Sequence, residues 1–153
     1  MSEIEKYFKD QKKNYFAAEI GNNHMGDLKS AFELVDLAKE AQADAVKFQL
    51  ITPELLVNNT IYPKRVNQLN KICLKFEDLV KLRNHCSKID IDFGISIFDL
   101  QGVKKTKEHL NPDFVKIASS DFTFNILIEE ILKNFDNVVI SSGMANFDEI
   151  NDF

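Results

Sequence analysis

Tryptophan is absent, and cysteine is limited to Cys73 and Cys86. Two cysteines so spaced make neither a zinc site nor a disulfide framework, and both lie in apolar-periodic sequence, where a buried reduced thiol is the simpler reading. No block rich in Lys and Arg stands out, and the formal net charge is −5, which argues against a nucleic-acid partner. No run of about 18 apolar residues occurs, so nothing is expected to span a membrane. The opening MSEIEKYFKDQKKN is charged and has no apolar centre, unlike a secretory signal, and a cytoplasmic location is expected. What is present is ordinary globular material: 153 residues, 44% hydrophobic and 28% charged, with thirteen Phe available for a core.

One unit recurs along the chain. A short apolar strand ends in polar residues, a loop follows, and an amphipathic helix leads to the next strand. Strands are expected at Tyr15 to Ile20, Ala45 to Leu50, Asp92 to Phe98, Phe114 to Ala118 and Val138 to Ser141. The first helix follows Asp27, a suitable N-cap, with Leu28, Ala31, Phe32, Val35 and Ala38 at helical spacing. Further helices are expected over Phe76 to Lys88, from Asp99 to about Leu110, and over Phe124 to Phe135. Strands alternating with helices mean a parallel sheet, because parallel neighbours need crossover connections. Residues 1–14 read as a helical extension preceding this unit, and 15–153 as the unit itself.

Two architectures compete, an open doubly wound sheet and a closed barrel. The turn after the first strand is Gly-Asn-Asn-His-Met-Gly, neither GxGxxG nor a phosphate-binding loop. Every strand ends in polar residues: Glu19; Lys47 with Gln49; Ser96 with Asp99; Lys116 with Ser119; Ser141 with Ser142. In a (β/α)8 barrel these ends converge on one mouth, where the active site sits, so the expected class is α/β, a TIM barrel represented by its first five β/α units. Asn146 and Glu149 match a capping box, which starts another helix near the end of the sequence. A closed barrel usually takes ~250 residues, so a truncated or split barrel is expected. A complete five-stranded open domain is the alternative.

Lys47 and Gln49 alternate with Val46, Phe48 and Leu50, so both polar side chains share a face. A lysine inside a covered parallel strand is costly unless paired. Lys116 repeats the pattern in the fourth strand, and two lysines beside Ser119, Ser120, Ser141, Ser142 and Gly143 suggest an anion site for a phosphate and a carboxylate. The plainer alternative is a salt bridge to Glu19 or Asp121. Glu19 is placed to act as a base, to hold a sugar hydroxyl, or only to neutralise Lys47. His24, in the first loop, could bind metal, shuttle protons or make loop hydrogen bonds. His85 and His109 read as surface or helix-end residues, and no complete metal site is legible. Ile51 to Lys75 is long for a βα loop and reads as a substrate-covering segment or a solvated loop.

The stretch AEIGNNHMGDLKSAFELVDLAKEAQADAVKFQL, Ala18 to Leu50, resembles the opening of the sialic acid synthase family. SIFD at Ser96 to Asp99, FVKIASSD at Phe114 to Asp121 and VVISSGMA at Val138 to Ala145 resemble later segments of that family in order and spacing. The resemblance implies condensation of phosphoenolpyruvate with N-acetylmannosamine or a related N-acyl amino sugar, including the precursors of legionaminic or pseudaminic acid. It implies Mn²⁺ or Mg²⁺ as cofactor, with the metal histidines expected in the second half of the barrel and none in this chain. It also implies a homodimer for the complete enzyme. By motif match, Lys47, Ser96, Lys116, Ser119 and Ser141 would hold phosphoenolpyruvate. Glu19 and Asp121 would take catalytic roles near the sugar. Asn23, His24, Gln49 and Ser142 would support them. Ser96-Ile97 replaces the family's Thr-Pro, and Ser120-Asp121 replaces Gly-Glu, so Asp121 reaches one methylene less far. A non-catalytic half-barrel, or a split subunit needing a partner chain, is the competing expectation.

Overall fold

The computed structural model describes residues 2–9, 14–143 and 145–151. After helix α1 (Glu3–Lys9) come β1 (Ala17–Gly21), α2 (Leu28–Glu40) and β2 (Ala45–Leu50). Then follow α3 (Pro53–Leu56), α4 (Pro63–Ile72), α5 (Phe76–Ile89), β3 (Asp92–Ile97) and α6 (Leu100–His109). The chain continues through β4 (Phe114–Ile117), a 3-10 turn at Ser119–Asp121, α7 (Asn125–Asn134), β5 (Val138–Ile140) and α8 (Phe147–Asn151).

The five strands are all parallel and lie in the order β1-β2-β3-β4-β5. A doubly wound sheet reverses direction at a switch point, and this one does not. Each strand sits beside the next in sequence, which is the winding of a barrel. The sheet is an arc of five β/α units with β1 and β5 as its edges.

Alternation along each strand sorts residues onto two faces. Val46, Phe48, Leu50, Phe93, Ile95, Ile97, Val115 and Ile117 face the helices and join Ala31, Val35, Leu79, Leu82, Val103, Leu127 and Ile131 in the main core. The concave face carries Glu19, Lys47, Gly94, Ser96 and Lys116, in rows set by the register Glu19↔Lys47, Lys47↔Gly94, Gln49↔Ser96 and Ser96↔Lys116. Its floor is a second cluster of Ile4, Ala45 and Phe114, packed by Tyr15 and Val139. Gly94 is required there: a Cβ on it would lie 2.1 Å from Cζ of Phe114, whose ring crosses the strand at that point.

The helix starts follow the capping logic. Asp27 accepts the Ser30 amide at 2.7 Å, and Asp99 accepts the Gly102 amide at 2.7 Å. Asn146 and Glu149 close a reciprocal box, Glu149 accepting the Asn146 amide at 2.8 Å and Asn146 the Glu149 amide at 3.0 Å.

Three expectations are corrected. β1 begins at Ala17: the Phe16 amide goes to the Asp44 carboxylate at 2.8 Å, and Tyr15 turns to the floor. The segment from Ile51 to Lys75 is not a plain loop, because it holds α3 and α4, each with Pro at its first turn. β3, β4 and β5 end one residue earlier than expected, at Ile97, Ile117 and Ile140.

Candidate active site at the strand ends

Lys47 is almost enclosed, its side chain 12% exposed, while the Glu19 side chain beside it is 54% exposed. The two are register partners on neighbouring strands, and the Lys47 ammonium pairs with Oε2 of Glu19. It also donates to Oγ of Ser96 at 3.1 Å. Ser96 is buried, and it lies in register with Gln49 on one side and Lys116 on the other.

Lys116 donates to the Ile117 carbonyl, which also accepts the Ser141 amide at 3.1 Å. Burial holds the Lys116 ammonium below the usual lysine range, and the charge of Lys47 adds to the effect, against the pull of Glu19 and Asp121. The charge of Lys47 thus bears on Lys116 across the concave face.

Asp121 follows β4 in the 3-10 turn that begins with Ser119. Burial pushes its carboxyl up, while the Ser120 hydroxyl and Lys116 oppose the shift. Its Oδ2 is enclosed and has no hydrogen-bond partner, so one acceptor in the mouth is unsatisfied. Gly143 closes this side: a Cβ there would sit 3.3 Å from Cβ of Ser119, so the turn after β5 presses on Ser119. Ser141 is half-buried, and Ser142 is exposed.

The loop after β1 divides its residues between the mouth and the scaffold. Asn22, which the sequence reading passed over, donates to Oε1 of Gln49 at 3.0 Å and fixes that amide. Its only sequence signal is its place directly after Gly21 at the strand end. Asn23 is exposed and donates to the Ile20 carbonyl at 2.9 Å, stapling the loop. His24 is buried and stacks on Phe48, on the helix side of the sheet. Its Nδ1 accepts the Gly26 amide at 3.0 Å, and burial holds its pKa down, so the neutral ring serves the loop and not the mouth. Of the three roles open to His24, the loop hydrogen bond is the one the structure forms. Gly26, at φ +81°, backs onto α4, where a Cβ would meet the Lys71 carbonyl oxygen at 2.3 Å.

Among the described residues no three His, Cys, Asp or Glu side chains are grouped to hold a metal. Glu19 is engaged by Lys47, and His24 is turned away. These side chains do not by themselves fit a divalent cation.

The NeuB family model matches residues 34–153. An uncharacterized protein of Methanocaldococcus jannaschii is 36% identical over 137 residues, covering 89% of this chain and 40% of that protein. The N,N'-diacetyllegionaminic acid synthase of Campylobacter jejuni is 31% identical over 151 residues, covering 91% of this chain and 45% of the synthase. The crystal structure of the N-acetylneuraminic acid (sialic acid) synthetase of Leptospira borgpetersenii, in complex with citrate, superposes with a TM-score of 0.82 at 30% identity. The match covers 91% of this chain and 48% of the synthetase, so this chain spans less than half the length of the relatives it matches.

Proposed function

The chain belongs to the NeuB family, and we propose that its strand-end mouth is the phosphoenolpyruvate side of a synthase site. The reaction is condensation of phosphoenolpyruvate with N-acetylmannosamine or a related N-acyl amino sugar. The enol carbon forms a bond to the sugar's aldehyde carbon, water adds at the adjacent carbon, and phosphate leaves. The products are a nonulosonic acid and phosphate. Lys47 and Lys116 balance the carboxylate and phosphate charges, and Ser96, Ser119 and Ser141 donate to their oxygens. Glu19 faces the sugar aldehyde and handles the water, while Asp121 accepts from a sugar hydroxyl. Ser142 and the Asn22-fixed Gln49 line the same mouth. A divalent cation, Mn²⁺ or Mg²⁺, belongs to this reading with ligands from outside the described residues, as do a homodimer and a cytoplasmic location.

The observation that carries the reading is Ser96 standing between the two lysines, bonded to Lys47 and in register with Lys116. The plainer alternative, a salt bridge from Lys47 to Glu19, is present as well, but it leaves Lys116 resting on a backbone carbonyl. Calorimetric titration with phosphoenolpyruvate tests it. Saturable binding by the chain, weakened about tenfold or more in Lys47→Ala and in Lys116→Ala, is expected; binding by both variants equal to wild type overturns it.

A second reading has its own support. β1 and β5 each pair on one side only, and Val138, Val139 and Ile140 remain half-exposed. Open parallel edges with apolar side chains suit a partner that continues the sheet. Size-exclusion chromatography with hydrogen exchange distinguishes them: a monomer with protected β1 and β5 amides rules out a required partner chain.

A further inference from the structure

Glu19 and Lys47 are unequal partners. The carboxylate is more than half exposed, whereas the ammonium is almost enclosed and anchored by Ser96. When the pair separates, Glu19 can turn to water at little cost, but Lys47 needs a replacement negative charge where it stands. The second lysine sharpens this asymmetry. Lys116 rests on a backbone carbonyl, and electrostatic coupling links it to Lys47, Glu19 and Asp121. Two positive and two negative side chains stand together, and an incoming phosphorylated carboxylate adds to the negative side of that balance.

We infer that Glu19 and an incoming phosphorylated carboxylate compete for the same cation, Lys47, so that binding the anion frees the Glu19 carboxylate. This rests on the phosphoenolpyruvate reading of the mouth and adds an order of events. The anion enters first and takes the Lys47 ammonium. Glu19 then swings from its register partner toward the concave space, where it is available to a second substrate or a water. In this arrangement the group that acts on the acceptor is held by the lysine until the donor has arrived. No bond beyond the ion pair is broken, and no proton need move.

The test is calorimetric titration of the chain with phosphoenolpyruvate, and separately with inorganic phosphate, for wild type, Glu19→Gln, Lys47→Gln and the double variant. The amide of Gln keeps the shape of Glu19 and one acceptor oxygen but not the charge. Glu19→Gln is expected to bind either anion about fivefold more tightly than wild type, the scale of a partly exposed ion pair. The gain should vanish in the Lys47→Gln background, which separates competition for Lys47 from a general loss of negative field. Unchanged or weaker binding by Glu19→Gln overturns the competition while leaving the phosphoenolpyruvate site standing. A gain that persists without Lys47 also overturns it. No binding by any of the four proteins, with native circular dichroism, overturns both the site and the competition.

Discussion

One oxygen of Asp92 serves two separate parts of the chain: Oδ2 accepts the Ile4 amide at 2.8 Å and the Tyr15 hydroxyl at 3.0 Å. Through it α1 is tied across the floor of the arc, against Ala45 and Phe114. Burial, and then the Asp92 charge, push the Tyr15 hydroxyl well above the usual tyrosine range, so it stays a donor.

Removing the hydroxyl with Tyr15→Phe is expected to cost about 1 kcal/mol of unfolding free energy. Asp92→Ala leaves both donors without this acceptor and should cost about 2–3 kcal/mol. Urea titrations of the two variants check the ranking, and a Tyr15→Phe protein as stable as wild type would show that the floor bond contributes nothing.

At Gly94 the expectation is steric. Gly94→Ala places a methyl 2.1 Å from the Phe114 ring, and overpacking of this kind costs about 1–3 kcal/mol. In a Phe114→Leu background the cost should shrink, because the flat ring is the obstacle. Thermal unfolding of the four proteins in a double-mutant cycle measures the coupling; additivity would mean that the strand and not the ring takes up the strain.

Lys116 makes binding and stability depend on pH in opposite directions. Its folded pKa is lowered from 10.5, so between that lowered value and 10.5 the unfolded chain carries the extra proton. Stability attributable to this residue therefore rises with pH through the window, and anion affinity falls as the ammonium is lost. Comparing wild type with Lys116→Gln isolates the effect, by urea unfolding and phosphoenolpyruvate titration from pH 8 to 10.5. A pH-independent difference between the two proteins would contradict the coupling.

The two thiols should be slow. Burial pushes the Cys86 thiol up to about 12 and also raises Cys73, with Arg65 opposing in the second case. An aromatic disulfide reagent at pH 8 is expected to modify half-buried Cys73 first, and Cys86 only when the fold opens. Because Cys86 holds its proton in the folded state, its contribution to stability is lost as pH climbs from the free thiol value toward 12. Immediate modification of both thiols in the native protein would show that α5 does not shield Cys86.

Much of this was legible because the periodicities are clean. β2 occupies Ala45–Leu50 as the alternation of Lys47 and Gln49 with Val46, Phe48 and Leu50 requires, and α5 starts at Phe76 as read. The caps at Asp27 and Asp99 were equally plain, being carboxylates directly before apolar-periodic runs. α4 was hidden by its polarity: only Val66 and Leu69 are buried, too few for a stripe, although Pro63 at its first turn was a usable signal. In the mouth, Lys47, Lys116 and Ser96 could be placed together from strand phase alone. The roles of His24 and Asn22 could not, since which loop residue faces Gln49 and which faces Phe48 depends on turn geometry that spacing does not carry. In the sequence Asp92 marks a strand start and nothing more, because its partners lie 88 and 77 positions away.

The division of each strand between its two faces has an evolutionary consequence. Substitutions at Glu19, Gln49 or Asp121 change the polar mouth without touching the apolar set that Val46, Phe48, Ile95 and Ile117 form with the helices. Recognition and foldability are thus written on alternate letters of the same strands. Descendants of such a chain can change the polar chemistry of the mouth while inheriting the arc intact.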